Sequence, residues 1–480
     1  MAKPIKYAVR SDAVIIGSGL SGLVAGALLS KSGKKVVILP EEISDSSPEV
    51  PVVPQTLGLG FERDGPVDRI FNEIGVSIPL LRRTQEVFRK NPFFLQILLS
   101  FYRFTLYHVR EDTLDDLKIG LGEKAQSLKV LFQKSDEWDI TLYPFLYASS
   151  PWAFIQKGEV LKQLMRGLVY KAKVFKLETR KAIDLCKELR IEEDAVDFLN
   201  ALSSSYYHKT LQNISTLDFF KMLLIFKNEP LVVAGGISGL KEIFLKVIKE
   251  NKGEVWPTPP SSLSFKKNRM DGVEFKGKDA LGCDVLILNP GGGGLVTENS
   301  GRVVNCYLDI PEEAIPSMMG DFLILKFRDN LPYDPNNFLM ISLAGKETGG
   351  PKVAKRPASR TRRALLQYFL PGNGNQVSEE GLRMELERRL VWLMPFVEGK
   401  IEWINSMMVE RKEWNFSYLS KEKLRKASYL KKGNYPVLSM GKSFYFLPHP
   451  VLDVLINPFL IKRGYDVAQI IKKKELTLKP

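Results

Sequence analysis

The strongest chemical signal in the chain is a run of six residues, Gly17-Ser18-Gly19-Leu20-Ser21-Gly22, spaced as GxGxxG. Glycines at this spacing bring backbone amides up to a phosphate. Gly17 permits the tight turn, Gly19 lets the backbone approach a pyrophosphate, and Gly22 lets a helix pack close to a strand. The flanking sequence supplies the elements such a turn needs. Residues 12–16 (DAVII) read as a short buried parallel strand. Residues 23–32 (LVAGALLSKS) read as a helix stopped by Gly33, and residues 35–39 (KVVIL) as a second strand. The helix start then offers free N–H groups and a positive dipole end. The pattern predicts a βαβ dinucleotide-binding unit.

That unit usually carries an acid at the end of its second strand, to hold the adenosine ribose. The position falls on Pro40, which has neither a carboxylate nor an N–H. Glu41 and Glu42 follow at once, and Glu41 is the candidate that reaches back; a solvated loop charge is the plainer reading. Other chemistry is sparse. Three histidines and three cysteines lie far apart, with no metal-ligand spacing and no CxxC pair. No P-loop, catalytic triad order or nucleic-acid-binding motif is present, so no general base is named and no metal is expected.

Composition sets the outer bounds. The chain has 480 residues, 44% hydrophobic and 26% charged, which is globular and points to more than one domain. Lys and Arg number 69 against 55 Asp and Glu, giving +14. That surplus suits either a solvated basic surface or contact with an anionic membrane. The start, MAKPIKYAVRSD, has no apolar signal region, and the scattered cysteines suit a reducing compartment. A cytoplasmic protein, peripheral on a membrane in the sharper reading, is the expectation. Two greasy stretches, 92–108 and 444–461, are too short or too rich in proline and charge to span a bilayer. They read as buried core or as an interfacial patch. Residues 138–152 (WDITLYPFLYASSPW) read as a tunnel for a long apolar substrate or as ordinary helical core.

The segment DAVIIGSGLSGLVAGALLSKSGKKVVIL resembles the N-terminus of the flavoprotein superfamily of phytoene desaturases, carotenoid isomerases and amine oxidases. The Rab GDP-dissociation inhibitors share that fold. VAGGISG at 233–239, the helix and strand after it, DGVEF at 271–275 and CDVLILN at 283–289 resemble the desaturases in the same order. EGLRMELERRLVWLMP at 380–395 and KRGYDVAQII at 462–471 resemble later helices of the family. The resemblance implies an α/β fold: a Rossmann-like FAD-binding domain assembled from discontinuous segments, with an inserted α+β substrate domain. The segments would be 1–80, 228–305 and 405–480 for the first and 81–227 and 306–404 for the second. It also implies FAD bound by Gly17 to Gly22. Gly235 and Gly236 would shape a helix start or touch cofactor, and Gly291 in PGGGG would approach the flavin or form a turn. His449 would stand where the family has an aspartate, or be a plain loop histidine.

Two family features are replaced. The glycine pair and arginine after the second strand are not there, and the strand at 443–446 runs into Leu447-Pro448-His449-Pro450 instead of Ala-Gly-Asp. Two functions follow. One is a flavin-dependent desaturase or reductase for a polyprenoid- or carotenoid-like substrate, drawn from a membrane. The other is a non-catalytic scaffold on the same fold that binds a lipid or a protein partner.

Overall fold

The residues that lead into the glycine turn bury themselves step by step: the last four of the strand Val9–Ile16 have no appreciable exposure. Such a run, apolar on both sides, belongs in the middle of a covered parallel sheet. The structure is a computed structural model. It describes residues 7, 9–40, 66–78, 88–89, 93–99, 102–107, 109–147, 175–207, 209–223, 232–233, 236–266, 269–277, 280–289, 302–317, 319–320, 322–325, 339–343, 347–349, 360–370, 379–409, 428–430, 437–440, 443–446 and 456–476.

The described strands are β1 (Val9–Ile16), β2 (Val36–Leu39), β3 (Phe88–Arg89), β4 (Phe93–Leu98), β5 (Arg103–Tyr107), β6 (Val232–Val233), β7 (Glu254–Val255), β8 (Ser262–Lys266), β9 (Arg269–Glu274), β10 (Ala280–Leu288), β11 (Arg302–Pro311), β12 (Phe322–Leu325), β13 (Leu339–Ser342), β14 (Glu347–Gly349), β15 (Arg360–Leu370), β16 (Glu402–Val409), β17 (Ser428–Leu430), β18 (Val437–Met440) and β19 (Phe444–Phe446). The described α-helices are α1 (Leu20–Lys31), α2 (Pro66–Glu73), α3 (Arg110–Leu121), α4 (Ala125–Tyr147), α5 (Ala182–Glu188), α6 (Glu193–Tyr207), α7 (Thr216–Leu223), α8 (Gly236–Glu250), α9 (Glu379–Leu393) and α10 (Ile456–Leu476).

The first sheet runs β17-β18-β19-β10-β1-β2-β7. Its heart, β19-β10-β1-β2-β7, is parallel throughout. The β8–β9 hairpin adds to the start of β10. Alternate residues of β1 and β2 face opposite layers, as the pleat requires. Ala13, Ile15, Val36 and Ile38 pack under α1, α2, α8 and α10. Val14, Ile16, Val37 and Leu39 meet Met270, Val273 and Phe275 from the hairpin side. Helix α1 is buried from Leu20 to Ser30, so it is a central helix without a polar stripe. Helix α10 lies directly against it. A side chain at Gly464 would run into the Ser21 carbonyl and come within 2.7 Å of the Val24 Cβ.

The second sheet runs β16-β11-β15-β13-β12-β4-β5. One face packs on α9 through Leu386 and Leu390, and on Met394 just past the helix end. Helices α3 to α7 cover the β5–β4–β12 part of the other face. Of the greasy stretch 92–108, residues 93–98 form β4 and 103–107 form β5, an antiparallel pair with Leu95, Ile97, Phe104 and Leu106 in that core. The boundaries drawn at 305/306 and 404/405 fall inside β11 and β16, which are second-sheet strands. Helix α9 stops before Pro395, whose ring cannot continue it. Residues 138–147 of the aromatic stretch belong to α4; residues 148–152 lie outside the described residues. Of the second greasy stretch, 444–446 form β19 and 456–461 open α10. Among the described residues, no helix is long and apolar enough to cross a membrane.

Candidate dinucleotide-binding site

Strand β1 continues through α1 to β2 on one side, while β10 returns on its other side. The carboxyl ends of β1 and β10 therefore flank a point where strand order reverses, the usual place for a ligand crevice in such sheets. Gly17 lies at that end of β1. Its φ of 98° is open to glycine at little steric cost. Its N–H donates to the Leu39 carbonyl at 2.9 Å, which ties the turn to the end of β2. Gly19 is the N-cap residue of α1, with extended backbone and no side chain to cap with.

The cap comes from another strand. Asn289, the residue after β10, is 1% exposed. Its N–H donates to the Ile16 carbonyl at 2.9 Å, and its own carbonyl accepts from the Gly19 N–H at 3.0 Å. Its side-chain Oδ1 accepts from the Gly22 N–H at 2.5 Å. One residue thus fastens the end of β1, the turn and the first turn of α1. The same contact explains two of the glycines. A Cβ on Gly19 would overlap the Asn289 amide, and one on Gly22 would lie 2.9 Å from the Asn289 Cβ. Gly19 and Gly22 make room for Asn289, and Gly22 also keeps α1 close to β1, since a Cβ there would lie 3.1 Å from the Ile15 side chain, the helix–strand approach its spacing predicts. Asn289 has no signature in sequence beyond an amide at the end of an apolar strand.

Four N–H groups at a helix start lack intrahelical partners. In α1 the Gly22 amide goes to Asn289, whereas the amides of Leu20 and Ser21 face no acceptor among the described residues. The first turn carries no acidic residue. Ser18 is exposed at the rim, and Gly17 and residues 19 to 22 are buried. The turn is therefore an electropositive end with backbone donors to spare, which suits a phosphate. Helix α10 adds a cation: Arg463 is 5% exposed, and its Nε donates to Ser21 Oγ at 3.1 Å.

Of the candidates read from sequence, Gly17, Ser18, Gly19, Leu20, Ser21 and Gly22 come together here. Gly236 is the first residue of α8, which packs beside α1. Glu41, Gly235, Gly291 and His449 lie outside the described residues, as does the 447–450 segment. Pro40, at the end of β2, brings no carboxylate. Around the site, burial dominates titration. It pushes the Cys283 thiol on β10 and the Tyr445 phenol on β19 up to about 12. It also raises the Asp466 carboxyl on α10, against the pull of Lys462 at 2.8 Å.

Residues 15–41 match the NAD(P)-binding Rossmann-like domain family. Over nearly its whole length the chain is similar to a putrescine oxidase bound to putrescine, with 11% identity, a TM-score of 0.52, and 98% of this chain and 100% of that one covered. It is also similar to an oxidoreductase from Methanosarcina mazei, at 13% identity and a TM-score of 0.50, covering 95% of this chain and 100% of the other. No curated protein matches at the level of sequence. The chain has the fold of these oxidoreductases. Its first sheet is the Rossmann-like part, and the glycine turn falls within the matched segment.

Proposed function

We propose that the chain is a flavin-dependent oxidoreductase that binds FAD. Its reaction adds or removes hydrogen across a carbon–carbon bond of a long apolar, polyprenoid- or carotenoid-like substrate. The observation that carries this reading is the cradle at the ends of β1 and β10, with the Leu20 and Ser21 amides turned to an acid-free, positive helix end. That donor set fits the pyrophosphate of a dinucleotide. Gly17 and Asn289 hold the turn in shape, and Ser18 stands at its open rim. A bound flavin would supply the hydride chemistry. The protein's share is to bind the cofactor, orient the substrate and exclude water, in keeping with a sequence that offers no general base.

The apolar substrate rests on the resemblance to desaturases. A peripheral membrane contact is part of the same proposal. Met384, Trp392 and Phe396, on α9 and the turn after it, are each 69% exposed. Of these, the tryptophan is of the kind that settles at a membrane–water interface. A second reading, a scaffold on the same fold, draws on Pro40 and on Asn289, which takes two of the amides in the turn.

A visible spectrum of the purified protein, taken again after excess FAD and gel filtration, separates the two. A retained flavin band is the expected result, and lipid extracts then become the substrates to test. No band under either condition refutes the oxidoreductase reading and leaves the scaffold.

A further inference from the structure

We infer that the site does not read the ribose of its nucleotide. With Pro40 at the ribose position, it takes adenine nucleotides whether the ribose 2′ carbon carries a hydroxyl, a hydrogen or a phosphate. The inference rests on the dinucleotide-site reading above and deepens it by naming the class of nucleotide. In a βαβ unit of this kind an acid about 20 residues past the glycine turn, at the end of the second strand, bonds the ribose hydroxyl. A carboxylate there has two effects. It accepts a charge-assisted hydrogen bond from the hydroxyl, and it repels a phosphate carried on the same carbon.

The structure fixes which residue holds that position. Strands β1 and β2 are parallel, with Ile16 level with Leu39. The Leu39 carbonyl accepts from the Gly17 N–H at 2.9 Å, so the end of β2 is tied to the glycine turn. The residue that follows this tie is Pro40, half-buried, with neither a carboxylate nor an N–H. The neighbouring strands do not replace the acid. On one side of β2, β1 ends in Gly17 and Ser18. On the other, β7 runs parallel, with Ile38 level with Val255 and the Trp256 N–H donating to the Ile38 carbonyl at 2.9 Å. Beyond that bond the chain continues as Trp256, Pro257 and Thr258, again without a charge. The acid of β7, Glu254, is level with Val37 and lies 3.9 Å from the Lys35 ammonium, toward the opposite end of the strand. Among the described residues, neither strand beside β2 brings a carboxylate to its end. A ribose hydroxyl that meets no acceptor in the protein keeps its water, so its removal forfeits no bond.

The test titrates the full chain by calorimetry with ADP, 2′-deoxy-ADP and 2′-phospho-ADP. The wild type is expected to bind the first two within about twofold of each other and the third no more weakly. Pro40→Glu installs the acid. It should favour ADP over 2′-deoxy-ADP by roughly ten- to a hundredfold, the worth of one hydrogen bond to a charged group, and should weaken 2′-phospho-ADP by repulsion. Pro40→Ala removes the ring without adding an acceptor and should leave the wild-type ratios unchanged; it separates the effect of the acid from that of losing the proline. A wild-type preference for ADP over 2′-deoxy-ADP of about tenfold or more overturns the inference, and its loss in Glu41→Gln or Glu42→Gln would show that one of these supplies the acid after all. Unchanged ratios in a folded Pro40→Glu overturn the assignment of the ribose to position 40. In all these cases the dinucleotide reading stands. A wild-type chain that binds none of the three nucleotides overturns that reading, and the inference with it.

Discussion

Asn289 offers a quantitative test of how the glycine turn is held. In Asn289→Ala the backbone contacts to Ile16 and Gly19 remain, but the acceptor for the Gly22 N–H goes. That amide is buried, so water does not readily replace the lost oxygen. Loss of a helix cap costs about 0.5–2 kcal/mol. A buried donor left without a partner costs about 1–3 kcal/mol. Both figures describe the same N–H and are not added; about 2 kcal/mol is the working value. Since about 1.4 kcal/mol is tenfold, the first turn of α1 should open about 30 times more often. Hydrogen exchange read by mass spectrometry on peptides covering residues 20–31 measures this locally, without a two-state unfolding model for a protein built on more than one large sheet. Exchange in that peptide within about twofold of wild type would refute the idea that Asn289 caps α1. Asn289→Asp supplies the contrast. It keeps the acceptor and so should protect the helix better than alanine, yet it places a carboxylate where a phosphate is to bind. It should therefore lower FAD and ADP affinity more than Asn289→Ala does.

Two further outcomes follow from packing and burial. Gly464→Val would push α10 away from the Ser21 carbonyl and Val24, and should cost about 3 kcal/mol, seen as a lower thermal midpoint and poorer soluble yield; an unchanged midpoint would show that the two helices are not in close contact. The thiols of Cys186 and Cys283, raised from 9.0 to about 12 by burial, should resist a disulfide reagent at pH 8 in the native protein and react once it is unfolded. Between pH 9 and about 12 the native chain holds thiol protons that the unfolded chain has lost, so stability should fall as pH rises through that window. Rapid labelling of the native protein would contradict this burial.

The βαβ unit was legible in the sequence because its physics is local. An uncharged apolar strand, glycines at fixed offsets and a helix of small residues say the same thing within thirty residues. The strands came out close to expectation, with β1 starting three residues earlier and α1 beginning inside the glycine run. The cap was not legible, because Asn289 acts across 267 residues and an asparagine after a strand has many uses. Arg463 read as one of many scattered basic residues until α10 was laid against α1. The stretch 92–108 was ambiguous for a different reason. Its apolar run serves equally as core or as membrane surface, and only the pairing of β4 with β12 and β5 decides for core.

The contact between Ser21 and Arg463 also bears on how the protein is made. The two residues are separated by 442 positions. At synthesis rates of about 5–20 residues per second, α1 is exposed for roughly 20 to 90 seconds before α10 leaves the ribosome. During that interval a helix that ends up buried from Leu20 to Ser30 has one flank open to water. The β10 strand that pairs with β1 also arrives late. Until those elements arrive, that flank is apolar surface facing water, open to association with other chains. The pace of translation, more than any contact in the finished fold, decides how long that flank is available to other chains.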